Sequence, residues 1–134
     1  MTPSPHTIAD DRPMSAAHEI MRKFGIRHLP VLRGGRIVGV VSDDDLHLIE
    51  TLADVDPEKV LVSEAMTQDP YTVAPGAPLD EVVAEMGDHK YGSAVVVEGG
   101  RVIGIFTTVD ACRAFAEILH ARGGGAGRGP ASRS

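Results

Sequence analysis

The chain contains an internal repeat at a constant offset of 65 residues. When residues 1–46 are aligned without a gap to residues 66–111, 13 of the 46 positions are identical, whereas about three identities are expected between unrelated segments of ordinary composition. A unit of this length is too short to bury a good core alone. The repeat therefore predicts two copies that pair about a pseudo-twofold axis and form related clefts.

The length and composition fit one compact globular domain. The chain has 134 residues, of which 43% are apolar and 24% are charged, as is usual for soluble proteins. It contains no apolar run of about 18 residues and no apolar leader at its start. We therefore expect neither a membrane span nor export, and a cytoplasmic location.

Negative charge is concentrated in one segment of the chain. Residues 43–69 contain nine acidic residues and one basic residue, Lys59, within a net charge of −6 for the whole chain. Nonspecific binding of nucleic acid needs a basic surface, so we expect no nucleic-acid partner. The simplest interpretation of the acidic segment is a solvated connector.

The sequence lacks the motifs of catalytic and metal centres. It has no Gly-x-Ser-x-Gly element, no phosphate-binding Gly-x-x-x-x-Gly-Lys loop and no paired histidines at metal-ligand spacing, so we predict no enzyme and no metal. Cys112 is the single cysteine and lies in an apolar helical pattern beside Phe115. We expect a buried, unreactive thiol there.

Each copy predicts the order strand, helix, strand, strand, helix. Proline favours a helix start and glycine a helix end or a tight hairpin turn, which indicates helices that begin near Pro13 and Pro78 and hairpins at the paired glycines. Unbroken apolar strands are typical of a sheet covered on both faces. We predict an α/β fold of the α+β type, built from two intertwined β-α-β-β-α repeats.

The predicted strands are residues 5–9, 29–32 and 37–41 in the first copy and 70–74, 94–97 and 102–106 in the second. The predicted segments are residues 1–55 for repeat 1, 56–65 for a helical linker, 66–121 for repeat 2 and 122–134 for a disordered Gly/Arg/Ser tail. Apolar stripes that include Phe24 in the first copy, and Leu79 and Val83 in the second, predict that the first helix of each copy packs against another surface, either the internal core or a second chain.

A hydroxyl residue followed three positions later by aspartate recurs at the start of the second helix of each copy. The pairs are Ser42 with Asp45 and Thr107 with Asp110. An ionised carboxylate accepts hydrogen bonds from two neighbouring hydroxyl groups, and a helix N-terminus favours an anionic phosphate. The element indicates either a ribose phosphate site or an aspartate that only stabilises the first helical turn.

The complete pattern resembles the cystathionine β-synthase (CBS) domain. The resemblance rests on the runs at residues 25–31, 34–46 and 66–73 and their equivalents, and it covers about residues 1–121. It implies a tandem CBS pair that senses adenine nucleotides. It also implies a homodimer in which helical faces join two chains into a disc of four repeats.

The resemblance assigns roles to particular residues of this chain. They divide into ribose-binding, phosphate-binding and base-pocket groups. The implied ribose-binding residues are Ser42, Asp45, Thr107 and Asp110, the phosphate-binding residues are Arg27, His28, His89 and Lys90, and the base-pocket residues are Thr7, Ile8, Ile26, Pro30, Thr72, Val73 and Tyr91.

The two copies differ at the implied phosphate positions. Arg27 and His28 suit a polyanion, but their counterparts in the second copy are uncharged, so a cation there must come from His89 or Lys90 or be absent. We predict unequal clefts. The alternative is that Arg27 and His28 are ordinary surface residues. The acidic residues 43 and 44 would repel phosphate unless they face solvent or a divalent cation intervenes.

These observations lead to a functional hypothesis. We expect a regulatory module that requires no cofactor and binds AMP, ADP or ATP, or else NAD(H) or S-adenosylmethionine, in clefts between the repeats. Its output would pass through a homodimer or an unknown effector protein, because a ligand shifts an equilibrium only by its differential affinity for the two states. The alternative is a structural or protein-interaction module with empty, degenerate clefts.

Overall fold

In the computed structural model, which describes residues 2–123, the chain forms two four-stranded sheets and five helices. The elements are β1 (Thr2–Pro3), β2 (Ile8–Ala9), α1 (Met14–Phe24), β3 (His28–Arg33), β4 (Arg36–Ser42), α2 (Asp43–Glu50), α3 (Val62–Ala65), β5 (Thr67–Gln68), β6 (Thr72–Val73), α4 (Leu79–His89), β7 (Ser93–Glu98), β8 (Arg101–Thr107) and α5 (Thr108–Gly123). The strand orders are β2-β3-β4-β5 and β1-β8-β7-β6, so each sheet takes three strands from one repeat and one from the other. The predicted mixed α/β fold of two intertwined repeats is confirmed.

Two short strands cross between the repeats, and the sequence pattern does not predict them. The strand β5 pairs antiparallel with β4, placing Gln68 opposite Gly39, and β1 pairs antiparallel with β8, placing Thr2 opposite Ile105. Two residues carry too little periodicity to identify a strand from sequence. Their hydrogen bonds join each repeat to the sheet of the other and account for the intertwining.

The extended segments that open each repeat are shorter than predicted. Within residues 5–9 only β2 is a strand, and within residues 70–74 only β6 is. Both run parallel to the first long strand of their own repeat, β3 and β7 respectively. The sheets are therefore mixed, with one parallel pair and two antiparallel pairs each.

Helix ends and hairpins follow the local sequence signals. The helix α1 begins after Pro13 and ends at Gly25, which has a φ of 64°. The paired glycines of both hairpins have φ between 60° and 83°, as a type I′ turn requires. In the second repeat Lys90 takes the left-handed position of Gly25, with a φ of 59°.

The hydrophobic cores of the two repeats are unequal. In the first repeat Leu46 of α2 is 1% exposed and packs with α1 and the sheet. The counterpart of Leu46 in α5 is the smaller Ala111, and no described residue of α5 is buried. The second helix of repeat 2 therefore leaves much of its apolar surface open to solvent.

Several side chains of the apolar stripes lie on the surface and not in the internal core. Phe24 is 46% exposed and Leu79 is 50% exposed, and Val83 is exposed as well. The expectation of a buried thiol is wrong, because Cys112 is exposed. Helical periodicity identifies an apolar face, but these faces are wider than the area that the sheets cover.

The connection between the repeats contains the short helix α3. The helix α5 continues to Gly123, two residues past the predicted end of repeat 2 at residue 121. The rest of the predicted tail, residues 124–134, lies outside the described residues. The other segment boundaries stay predictions.

Candidate functional site

A cleft of about 250 Å³ lies between the two repeats. One wall is the segment 25–28 of repeat 1, where the chain leaves α1 and enters β3. The opposite wall is the end of β8 and the first turns of α5, with Thr107, Asp110 and Arg113. We refer to it as the Thr107 cleft.

The Thr107–Asp110 element caps its helix. An Asp110 carboxylate oxygen, Oδ2, accepts hydrogen bonds from the Thr107 backbone N–H at 2.9 Å and from the Thr107 hydroxyl at 3.2 Å. Ser42 and Asp45 form the equivalent capping box in repeat 1, at 3.0 and 3.1 Å. The stabilising role considered above is therefore present. It uses Oδ2 of each aspartate, and Oδ1 makes no hydrogen bond within residues 2–123, so capping does not exclude ligand binding.

Arg27 lines the Thr107 cleft from the side of repeat 1. Its guanidinium Nε lies 3.2 Å from Asp43 Oδ2, and its side chain is 74% exposed. An exposed ion pair of this kind contributes little to stability. The side chain can therefore turn towards an anion at small cost.

His28 lies at the junction of the repeats. Its ring lies so close to Gly92 that a β-carbon added at residue 92 would be 2.9 Å from His28 Nε2. Burial lowers the pKa of His28 below its usual 6.5, although the carboxylates of residues 43–45 partly oppose this shift and Arg27 adds to it. At neutral pH the imidazole is neutral, so it can offer a hydrogen bond but no positive charge to the cleft.

Arg113 is a cleft residue that the sequence reasoning missed. It follows Asp110 by three positions, so the two side chains lie on one face of the helix start, and both line the cleft with Thr107. The spacing could have revealed it. The counterpart of Arg113 in repeat 1 is Leu48.

Most of the remaining predicted residues lie outside this cleft. Of the base-pocket group, Ile26 lines the cleft, Thr7 lines a different cavity, and Ile8 and Pro30 are buried in the protein interior. Their inward position leaves no side-chain surface for a ligand. Of the base-pocket group, the structure therefore brings only Ile26 to this cleft, and the roles of all these residues stay predictions.

The second-copy residues form a separate aromatic group. Tyr91 stacks on Tyr71 with ring centroids 4.9 Å apart and on His89 at 5.1 Å. His89 Nε2 also lies 3.4 Å from Glu85 Oε2, and Lys90 caps α4. Thr72 and Val73 lie in the adjoining strand β6, where Val73 packs against the second core.

The surface around Ser42 is the pseudo-symmetric counterpart of the Thr107 cleft, and its charge is opposite. Under the 65-residue offset, the equivalents of Val109 and Arg113 are Asp44 and Leu48. The equivalent of the cationic Arg27 is Gly92. We refer to this region as the Ser42 surface. The residues equivalent to His6 and Ile26 of the cleft wall are Tyr71 and Tyr91. One side of the axis therefore has arginines beside its aspartate, whereas the equivalent positions of the other side lack arginine and carry a further carboxylate and two tyrosines.

Comparison with protein families matches the CBS domain to residues 1–48 and 62–117. The chain belongs to the CBS-domain family. The two matched segments correspond to the two repeats, and they confirm the resemblance read from the sequence.

Inosine-5'-monophosphate dehydrogenases contain a similar segment. The inosine-5'-monophosphate dehydrogenase of Korarchaeum cryptofilum (strain OPF8) is 33% identical over 105 residues, which make up 78% of this chain and 21% of the dehydrogenase. The chain spans about a fifth of the length of such dehydrogenases. The similarity is therefore to the CBS portion of those enzymes.

Two solved CBS structures contain adenosine compounds. The CBSX2 protein in complex with AMP is 27% identical to this chain, with a TM-score of 0.75 over 88% of this chain and 93% of that chain. The CBS domain pair of protein MJ0100, in complex with 5'-methylthioadenosine and S-adenosyl-L-methionine, is 29% identical, with a TM-score of 0.74 over 86% and 91%.

Two further features of the described residues concern membranes and metals. Across residues 2–123, no helix has the length and apolar character needed to cross a membrane. In the same part of the chain, no three histidine, cysteine or carboxylate side chains come together in a way that could hold a metal ion.

Proposed function

We propose that this chain is a regulatory module that binds an adenosine phosphate in the Thr107 cleft. The observation that carries the proposal is the position of Asp110 and Arg113 on one helix start, facing the segment 25–28 of the other repeat. A carboxylate, two arginines and a helix N-terminus in one cleft suit a ribose next to a phosphate.

The proposed ligand position follows from these groups. The vicinal ribose hydroxyls donate to Asp110 Oδ1, the oxygen left open by the helix cap. The phosphate lies near Arg113 and Arg27, and the base packs on Ile26 and the ring of His6 at the cleft wall. The complexes of CBSX2 and MJ0100 support an adenosine compound as the ligand class.

We propose that the Ser42 surface differs in the ligand it accepts. Asp44 and Asp45 repel a phosphate, and the tyrosines Tyr71 and Tyr91 offer stacking surface to a base. A neutral or cationic adenosyl compound suits this chemistry better than AMP. His89 and Lys90 remain the predicted cations of this side.

Signal output in this proposal depends on both repeats contacting one ligand. The ligand bridges the end of α1 in repeat 1 and the start of α5 in repeat 2, so its binding favours one relative position of the repeats. The exposed apolar face of α5 transmits that change to a second copy of the chain or to an effector protein. The cytoplasmic location expected from the sequence stays a prediction.

Calorimetric titration with AMP and adenosine tests the assignment. We expect Arg113→Leu, which installs the repeat 1 residue, to weaken AMP binding about tenfold or more, because a hydrogen bond to a charged group contributes about 1.5 to 3 kcal/mol. Adenosine binding should not change. Asp110→Ala should weaken both ligands, since both contain the ribose.

The control variant is Arg22→Leu, which removes one exposed arginine from α1 outside the cleft. It should bind AMP like the wild type. Equal AMP affinity in wild type and Arg113→Leu would refute the phosphate assignment. If no adenosine compound binds the wild-type chain, the protein-interaction module becomes the better account.

A further inference from the structure

A second cavity, of about 610 Å³, lies between the hairpin turns of the two repeats. It is lined by Gly34-Gly35-Arg36 and Gly99-Gly100-Arg101, which are equivalent under the 65-residue offset, and by Ser4 and Thr7 from the N-terminal segment. We refer to it as the hairpin cavity. Since equivalent residues from both repeats face each other, the cavity lies on the pseudo-twofold axis.

The hairpin cavity and the Thr107 cleft are different sites. The hairpin cavity borders the start of β8 at Arg101, whereas the Thr107 cleft borders its end at Thr107. A seven-residue strand spans about 20 Å. Pro5 contributes to both walls, so the N-terminal segment separates the two spaces.

Two arginines in the hairpin cavity have no counter-charge. Neither Arg36 nor Arg101 forms an ion pair or a side-chain hydrogen bond within the part of the chain that the structure describes, and no acidic residue lines the cavity. By contrast, the nearby Arg33 is paired with Asp10 at 2.6 Å. The cavity thus concentrates positive charge in a chain that is acidic as a whole.

The side chain of Arg36 extends across the pseudo-twofold axis. The guanidinium of Arg36 reaches the hairpin of the other repeat, where a β-carbon added to Gly100 would lie 2.8 Å from Arg36 Nη1. Glycine at this position both accepts a φ of 83° and leaves space for the guanidinium. Hydroxyl groups of Ser4 and Thr7 add possible donors to the same wall.

We propose that the hairpin cavity binds a small phosphate-type polyanion between Arg36 and Arg101. Guanidinium groups bind phosphate oxygens through paired N–H donors, and two facing guanidinium groups match an anion that carries charge on more than one oxygen. Free pyrophosphate and the phosphate group of a small metabolite share this chemistry. The proposal is independent of nucleotide binding in the Thr107 cleft.

Amide NMR on the full chain, titrated with inorganic pyrophosphate, tests the proposal. We expect shifts of the amide signals of Gly34, Gly35, Gly99 and Gly100 that saturate and that weaken with added salt. A parallel titration with glycerol 3-phosphate separates the two sources. Comparable binding of both favours a phosphate ester as the natural ligand, and much tighter pyrophosphate binding favours the free polyanion.

Variants assign the binding to the two arginines. Arg36→Gln/Arg101→Gln should weaken pyrophosphate binding at least tenfold while the spectrum stays dispersed, because both side chains are exposed at the first residue of a strand. Arg12→Gln/Arg22→Gln removes the same charge elsewhere and should leave binding unchanged. Arg113→Leu should also leave it unchanged, whatever its effect on AMP.

Three outcomes would overturn the proposal. They are the absence of saturable shifts at the hairpin glycines, shifts confined to residues 25–28 of the Thr107 cleft, and equal weakening in the two double variants, which would indicate attraction by net charge alone. The wild-type map decides the first two even if a variant fails to fold.

Discussion

At the scale of single residues, His28 lies at the contact between the two repeats. Its ring lies against Gly92 of repeat 2, and its backbone is paired with Ser42 of β4 in its own repeat. Burial is the main cause that lowers its pKa below 6.5, against the carboxylates of residues 43–45. The folded state therefore binds this proton less readily than the unfolded chain. The free energy of unfolding should fall as pH decreases through 6.5, and the loss should end below the folded-state pKa.

Urea unfolding between pH 7.5 and pH 5 measures this effect. We expect His28→Gln to show a smaller loss of stability over that range than the wild type, whatever its stability at pH 7.5. His120→Gln, an exposed site on α5, controls for the loss of one histidine. An unchanged slope in His28→Gln would contradict the assignment to His28.

At the scale of secondary structure elements, the pairing of β5 from repeat 2 with β4 from repeat 1 depends on a glycine in β4. A β-carbon added at Gly39 would lie 2.5 Å from Met66 Sδ and 2.8 Å from the Thr67 carbonyl oxygen. The backbone oxygen cannot move without disturbing the pairing of β4 with β5. We expect Gly39→Ala to lower the free energy of unfolding by about 1 to 3 kcal/mol, as overpacking usually does.

The matched control is Gly87→Ala in the helix α4. An added β-carbon there meets nothing within 4 Å, and alanine is the better helix former by about 1 kcal/mol. Urea unfolding should show this variant to be as stable as the wild type or more stable. A Gly39→Ala protein with wild-type stability would mean that β5 shifts without cost.

At the scale of the whole molecule, the uncovered face of α5 supports the proposed homodimer. Phe115 is 61% exposed, and Ile118 and Leu119 are each 53% exposed. Burial of apolar side chains of this size is the usual driving force of association. Sedimentation should give twice the chain mass for the wild type.

Ile118→Asp should sediment as a monomer at the same concentration, and the exposed thiol of Cys112 on the same helix should then react faster with a thiol reagent. Leu52→Asp is the control, because Leu52 is 54% exposed but lies outside α5. It should remain dimeric. A wild-type chain that sediments as a monomer at all concentrations would refute the dimer.

Features that depend on neighbouring residues could be read from the sequence. The I′ turns follow from adjacent glycines, and the caps at Ser42 and Thr107 follow from the aspartate three positions later, since both are completed within four residues. The short strands β1 and β5 could not be read, because their partners lie in the other repeat. The spacing of Arg113 from Asp110 placed it on the face of the capping aspartate, but its position in a cleft depends on the segment 25–28 across the axis.

The sequence by itself determined the duplication, the order of the main elements, the family and the two aspartates that cap helices. Only the tertiary structure decided which residues share a cleft, because pairing across the axis brings Arg27 of repeat 1 to Asp110 and Arg113 of repeat 2. It also decided that Phe115 and Cys112 are exposed, since periodicity shows where an apolar face lies but not what covers it. The two repeats share their local sequence signals. The Thr107 cleft and the Ser42 surface nevertheless differ, because each combines residues of both repeats and the equivalent residues are not the same.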